Sequence, residues 1–290
     1  MAPLPAKRRI GIHLSTSGGT WTAVQRAADC GADCFQIFSS SPRQWKPSPV
    51  SEADAERMRT SLLQHGITPL VIHASYLLNL CSQSESVREN STKAFRAEVE
   101  RALALGANYL VLHPGSWKGI TRAEALQHAA TNIERAVDGL GCHDSPLRIL
   151  IENSAGSEFS MGGTLDQIAD LVHLLDRCAP VDVCLDTCHT HVAGYDLVTR
   201  EGYEETVALI EETFGTQRVR VWHCNDAKAP RGSKLDRHQH VGEGTIGAAA
   251  FRRLLHDDRF VHAAFIAETP VDEPGDILRN MNTLRALAAL

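Results

Sequence analysis

The sequence predicts an α/β fold, a (β/α)8 TIM barrel that occupies residues 1–290 as a single domain. Three observations carry that expectation. Eight short β-branched runs alternate with long helical patterns along the whole chain. Each run is almost continuously apolar, as strands buried on both faces are, and each ends in polar residues. No break in composition and no low-complexity linker divides the chain, whose length suits one barrel of about 250 residues or more.

In chain order the strands are expected in RIGIHLS (9–15), CFQIFSS (34–40), PLVIHAS (69–75), NYLVLHPGS (108–116), LRILIENS (147–154), VDVCLDTCH (181–189), VRVWHCND (219–226) and FIAETP (265–270). Between them, apolar residues recur at three- and four-residue spacing. The clearest helical stretches are ESVRENSTKAFRAEVERALALG (85–106), TRAEALQHAATNIERAVDGLG (121–141) and TLDQIADLVHLLDRC (164–178). Thr121 with Glu124 three residues on marks a helix start, and Gly106 marks a helix stop. The Pro- and Ser-rich SSSPRQWKPSPVSEAD (39–54) reads as a functional loop between a strand and a helix.

Composition narrows the function classes. The 290 residues are 43% hydrophobic and 22% charged, ordinary for a globular protein. No apolar run approaches the roughly 20 residues that cross a bilayer. The basic N-terminal MAPLPAKRRIGIHLS shows no signal-peptide pattern, so a cytoplasmic protein is expected, and a monomer because the sequence carries no repeat or hydrophobic interface signal. A net charge of −6 argues against non-specific coating of nucleic acid, although a local basic groove stays compatible with it. The eight cysteines form no CxxC pair and are expected as buried, reduced thiols.

Position decides where the chemistry lies. His73, His113, Glu152, Asp186, His223 and Glu268 fall near the ends of six successive strands. A parallel barrel brings those ends to one face, the face that carries active sites. A lone histidine there is more often a hydrogen-bonded rim residue. Six such groups together would need unpaired carboxylates and imidazoles buried at a cost of several kcal/mol, and metal ions remove that cost. His189 follows Asp186 by three residues, and Asp236 and His238 form a DRH in which alternate side chains share one side while Arg237 faces away. Nine ligands exceed the four that one zinc takes and suit two or three ions sharing a carboxylate. Nitrogen and oxygen donors favour zinc and also admit manganese or iron, and clustered divalent ions point to phosphoester hydrolysis. His191 and His240 lie nearby and read as solvated or as hydrogen-bonding to a ligand.

The ordered series HASYLLNL (73–80), LHPGS (112–116), IENSAG (151–156), CLDTCHTHVAGYDL (184–197), HCNDAKAPRGSKLDRHQHVGEGTIG (223–247) and AETP (267–270) resembles the endonuclease IV family. These are zinc-dependent apurinic/apyrimidinic endonucleases, AP endonuclease family 2, built on a xylose-isomerase-like barrel. The resemblance implies three zinc ions: His73, His113 and Glu152 on one, with Glu152, Asp186, His223 and Glu268 on a second. His189, Asp236 and His238 would hold the third. It implies incision of double-stranded DNA 5′ to abasic sites, leaving a 3′-hydroxyl and a 5′ deoxyribose phosphate, with 3′-phosphodiesterase activity at the same site. Glu152 and Glu268 would be the catalytic carboxylates, Glu268 also orienting the attacking hydroxide or taking its proton. Flipping the damaged nucleotide is cheap where its base is missing.

By the same resemblance, Arg43 of SPRQW inserts into the duplex, and Tyr76 and Leu77 fill the gap left by the flipped nucleotide. Lys228, Arg231, Lys234 and Arg237 concentrate positive charge beside the metals and are expected to meet phosphates. Ala74 departs from members with an acidic residue there, so no side-chain hydrogen bond to His73 is expected from it. GSEFSMGG (156–163) departs from the usual loop after the fifth strand. Two rival readings are a sugar isomerase or epimerase on the same barrel and a non-catalytic lesion-binding zinc protein. The first gives no reason for the DRH pair or the basic loop, and the second would be favoured by loss of a ligand.

Overall fold

A computed structural model describes residues 7–46 and 48–289. Residues 1–6 of the basic N-terminal segment and Pro47 of the Pro-rich loop lie outside the described residues. The barrel strands are β1 (Arg9–His13), β2 (Cys34–Phe38), β3 (Leu70–His73), β4 (Tyr109–Leu112), β5 (Arg148–Glu152), β6 (Val181–Asp186), β7 (Val219–His223) and β10 (Ala264–Ala267). All eight pair in parallel, and β1 bonds to both β2 and β10, closing the ring. Closure leaves no free strand edge. No helix among the described residues is long and apolar enough to cross a membrane.

The helices wrap this cylinder: α1 (Thr22–Asp29), α2 (Glu52–His65), α3 (Glu85–Leu105), α4 (Arg122–Val137), α5 (Leu165–Leu175), α6 (Thr187–Ala193), α7 (Arg200–Thr213), α8 (Ala248–Leu255) and α9 (Asp276–Ala288). The start and stop signals work as their chemistry requires. Thr121 and Glu124 exchange bonds in a capping box on α4. Gly106 ends α3 at φ 72°, a left-handed turn costly for side chains with a Cβ.

The expected strands all form but are shorter at their C-terminal ends. The clearest correction falls on VDVCLDTCH: β6 stops at Asp186, and TCHTHVA becomes helix α6. The cause is the Asp186 side chain, which accepts the His189 backbone N–H at 2.9 Å and caps the helix. Cys188 and His189 therefore sit on a helix, where sequence placed them in a strand and the loop after it. A second correction is the hairpin in the 223–247 stretch. Asp226–Ala227 (β8) pairs antiparallel with His238–Gln239 (β9), closing the loop between them. Two of the eight cysteines, Cys30 and Cys178, are half-buried, and the other six are buried.

Side chains inside the barrel form layers because alternate residues of a strand face alternate sides. One layer is apolar and buried: Cys34, Val71, Val111, Leu150, Cys184, Val221 and Ile266, with Ala264 beside them. Gly11 completes it on β1, where a Cβ would stand 2.1 Å from the Cys34 carbonyl oxygen. Two residues further along every strand comes a polar side chain: His13, Gln36, His73, His113, Glu152, Asp186, His223 and Glu268. An eight-membered polar ring thus rests on an apolar floor at the C-terminal mouth.

Candidate metal centre

The polar ring is closely packed. Glu152 is fully buried and meets three imidazoles: His73 Nε2 and His113 Nε2 at 3.0 Å, and His223 Nδ1 at 2.8 Å. His223 Nδ1 also lies 3.1 Å from Glu268. Beside the ring, Asp236 meets His189 Nε2 at 3.1 Å and His238 Nε2 at 3.2 Å, and His238 Nε2 is 3.7 Å from Asp186. Three sets of nitrogen and oxygen donors each lie within 4.8 Å: His73, His113 and Glu152; Glu152, Asp186, His223 and Glu268; His189, Asp236 and His238. Two further groups add Cys184 to Glu152 and His223, and Cys188 to Asp186 and His238. Glu152 belongs to two of the three nitrogen and oxygen sets. The structure therefore brings together all nine sequence-predicted residues, and the sets coincide with those that the resemblance implies.

Whether these residues fit cations can be tested on hydrogen-bond direction. His73 Nδ1 faces the Ala74 carbonyl at 2.8 Å, His189 Nδ1 the Asn153 carbonyl at 3.0 Å, and His238 Nδ1 the Glu268 carbonyl at 3.0 Å. A carbonyl only accepts, so each Nδ1 carries the proton, and in the neutral ring Nε2 turns a lone pair toward a carboxylate. Lone pair against carboxylate is repulsive unless a proton or cation lies between. His238 Nε2 is buried 3.2 Å from Asp236 without a well-aligned hydrogen bond to it. Imidazoles anchored through their far nitrogen, with carboxylates converging, are the arrangement metal-ligating histidines adopt. The donor set fits divalent cations. The backbone carbonyl of Ala74 makes the bond to His73, so the ring is anchored without a side chain at that position.

Among the protein groups alone, charge is held in by pairing. Burial opposes the imidazolium of His189, but Asp186, Asp236 and Glu152 outweigh it and raise its pKa to about 10. His238 rises to about 9, as Asp186 and Asp236 overcome burial in the same way. Burial wins at His113, which falls to about 4 despite Glu152. Burial also acts against ionised Glu152, yet His113 and His223 hold it well below the usual carboxylate range. Cys184 lies within reach of Glu152 and His223, but burial pushes its thiol up to about 12. Nitrogen and oxygen remain the donors.

Comparisons with known proteins give the family and the fold. The chain matches the xylose isomerase-like TIM barrel family over residues 24–287. It is 44% identical to a probable endonuclease 4 of Solibacter usitatus over 282 residues, 97% of each chain. The endonuclease IV structure from Thermus thermophilus superposes with a TM-score of 0.86 at 35% identity, covering 96% of this chain and 98% of that one. The chain belongs to the endonuclease IV family. A D-tagatose 3-epimerase-like protein also superposes, with a TM-score of 0.71 over 96% of each chain; its 18% identity shows the shared barrel only.

In this endonuclease IV family member, loops around the mouth carry the residues expected to meet DNA. Arg43 is exposed in a turn of the loop after β2. That loop is braced from below: Ser75 Oγ donates to the Pro42 carbonyl at 2.7 Å, and the Arg101 guanidinium bonds Ser39 and the Ser48 carbonyl. Tyr76 is 65% exposed, its ring edge-on to Phe38, while Leu77 is half-buried. Lys228, Arg231, Lys234 and Arg237 are all exposed on the hairpin loop. They are not equivalent. Arg231 is paired with Asp196 at 2.6 Å, so an internal carboxylate meets part of its charge. Lys234 lines an open cleft with His113, Gly115, His189 and Asp236.

His191 and His240 correct their expectation in part. Neither touches a ligand. His191 is buried, with its Nε2 3.2 Å from the Thr245 hydroxyl, and Thr245 bonds the Ala227 and Ala229 carbonyls at the hairpin base. His240 is half-buried against Asn280 of α9.

Sequence reasoning missed four supporting residues. Asn225 Nδ2 donates to Asp186 at 2.5 Å while its Oδ1 accepts the Glu268 backbone N–H at 2.7 Å, tying two ligands together. Asn153 Oδ1 accepts the Asp186 backbone N–H at 2.7 Å. Gln36 and His13 belong to the polar ring itself. Their signal was present: CFQ and GIH repeat the pattern of VIH, VLH, LIE, CLD, VWH and IAE on the other strands.

Proposed function

We propose that this chain hydrolyses the phosphodiester 5′ to abasic sites in double-stranded DNA, leaving a 3′-hydroxyl and a 5′ deoxyribose phosphate. The same site would remove blocking groups from 3′ ends. The observation that carries this reading is the three donor sets at one barrel mouth, two of them joined through Glu152, flanked by an exposed tyrosine and a basic hairpin. In this reading the sets hold three zinc ions, for which manganese or iron can substitute. Bound there, the ions supply the Lewis acidity and the nucleophile that phosphodiester hydrolysis needs at neutral pH.

The protein's own groups prepare the rest. Glu152, pinned by three imidazoles, fixes the spacing of the first two donor sets. The Glu268 side chain is 14% exposed against 1% for Glu152, so its carboxylate is the more accessible of the two and is placed to orient the attacking group or take its proton. Lys234 lines the cleft beside His113, His189 and Asp236, and Arg237 is exposed on the same hairpin; both are suited to hold phosphate oxygens. Arg43 would insert into the duplex, and Tyr76 with Leu77 would fill the gap left by the flipped nucleotide, the exposed Tyr76 ring offering a stacking face.

The test uses a duplex carrying one tetrahydrofuran abasic analogue, with and without chelator. The reading expects a single 5′ incision with an extendable 3′-hydroxyl, lost on chelation and restored by zinc. An intact duplex alongside interconversion of ketose sugars would favour the epimerase reading instead.

A further inference from the structure

We propose that Gln36 is a positioning residue of the metal centre: it holds His223 in the tautomer that offers Nδ1 to a cation, and it fixes the orientation of Glu268. The inference rests on the metal-dependent reading above.

Gln36 is fully buried on β2, two residues after Cys34 of the apolar layer. Its amide has two different ends, and its neighbours determine which way it points. Glu268 Oε1 is within hydrogen-bond reach of Gln36 Nε2, and an ionised carboxylate only accepts, so the NH2 end must face it. The remaining N–H of that group reaches His13 Nδ1 at 3.1 Å. The amide oxygen is then turned to His223 Nε2, 2.8 Å away. An amide oxygen only accepts, so His223 carries its proton on Nε2. The lone pair of the neutral ring therefore sits on Nδ1, the nitrogen that faces Glu152 at 2.8 Å and Glu268 at 3.1 Å.

His223 is unlike its neighbours in this. His73, His189 and His238 are anchored at Nδ1 by backbone carbonyls and present Nε2. Backbone anchors cannot be mutated away; the anchor of His223 is a side chain. One amide thus controls two ligands of one set, while His13 steadies its far side. Outer partners of metal ligands contribute about 10–100-fold to metal affinity or activity.

The experiment compares the full chain with Gln36→Met, which is of similar volume and lacks the amide, and with Gln36→Leu should the first fold poorly. Each is stripped and reloaded with zinc. Three readouts follow: zinc affinity by competition with a chelating indicator, the His223 ring signals in 15N-edited NMR of the zinc-loaded protein, and kcat and KM on the abasic duplex. The expected result is one zinc per chain weakened about 10–100-fold, loss of the protected Nε2–H signal of His223, and a fall in kcat with KM unchanged. Unchanged zinc affinity and an unchanged His223 signal in a folded variant would overturn the inference. The two readings fail separately. A parent protein that binds zinc with this tautomer but leaves abasic DNA intact refutes the proposed reaction alone; normal zinc binding by an active Gln36→Met refutes the role of Gln36 alone.

Discussion

At the residue scale the centre depends on how few groups hold how much charge. Glu152 is shared by two donor sets and is held between three imidazoles. Glu152→Ala is therefore expected to abolish incision and lower bound zinc to close to one per chain, measured by metal analysis of the folded variant. A second expectation follows from the raised pKa values of His189 and His238, about 10 and about 9. Raised values mean that the imidazolium–carboxylate pairs support the metal-free fold fully below the unfolded histidine pKa near 6.5, and that this support is lost as pH climbs through 9 to 10. Stripped protein should lose thermal stability between pH 7 and 10. Zinc-loaded protein should lose less, and zinc binding at pH 8 should release protons, readable by calorimetry in buffers of different ionisation enthalpy. Absence of proton release would show that these histidines are already neutral. Six of the nine candidate ligands were legible because each stands at the end of a barrel strand, and His189, Asp236 and His238 because they follow just beyond those ends. Asn225 and Asn153 were not, since an asparagine beside a strand carries no sign of which backbone N–H it will accept.

At the element scale, sequence periodicity revealed the alternation of strands and helices but not where each strand yields. VDVCLDTCH looks like one strand because Cys184, Leu185 and Cys188 are apolar; the break comes from one capping bond by Asp186. The hairpin was hidden for a related reason, as its two strands are two residues long and lack any apolar alternation. What holds it is a set of buried polar contacts. Asp226 accepts the backbone N–H groups of Ala227, Ile246 and Gly247, and Thr245 bonds two carbonyls and His191. Its tip is tied to α6 by the Gly232 and Lys234 amides. Thr245→Val is expected to cost about 1 kcal/mol of global stability, in line with a hydrogen bond lost. Its larger effect should be on the third donor set, because Asp236 and His238 lie on the hairpin: one zinc should exchange faster with chelator while the other two are unaffected. Equal exchange of all three would mean that the hairpin does not position this set. Gly244 marks the same constraint, since a Cβ there would stand 2.3 Å from the Ala227 carbonyl oxygen.

At the scale of the whole molecule, one barrel separates stability from chemistry along its axis, with an apolar layer beneath and a polar ring at the mouth. Net charge is −6, yet exposed cations stand on loops that follow two barrel strands, Arg43 after β2 and Lys228, Lys234 and Arg237 after β7. DNA affinity should therefore fall steeply with salt. Neutralising Lys228 or Arg237 should reduce the slope of log affinity against log salt by about 1 each if each meets a phosphate. An unchanged slope would place those residues off the DNA path. The barrel itself was legible from eight buried apolar runs, because two-sided burial leaves a continuous pattern. The polar ring was partly legible, since six of its eight members are metal-ligand types at strand ends and the other two, His13 and Gln36, were passed over as ordinary strand residues. The central claim is that three donor sets sharing this mouth act as one hydrolytic centre, and it is tested most directly by returning zinc stepwise to the stripped protein while following incision of an abasic duplex. The account predicts little cleavage until close to three equivalents per chain are bound; full activity at a single equivalent would contradict it.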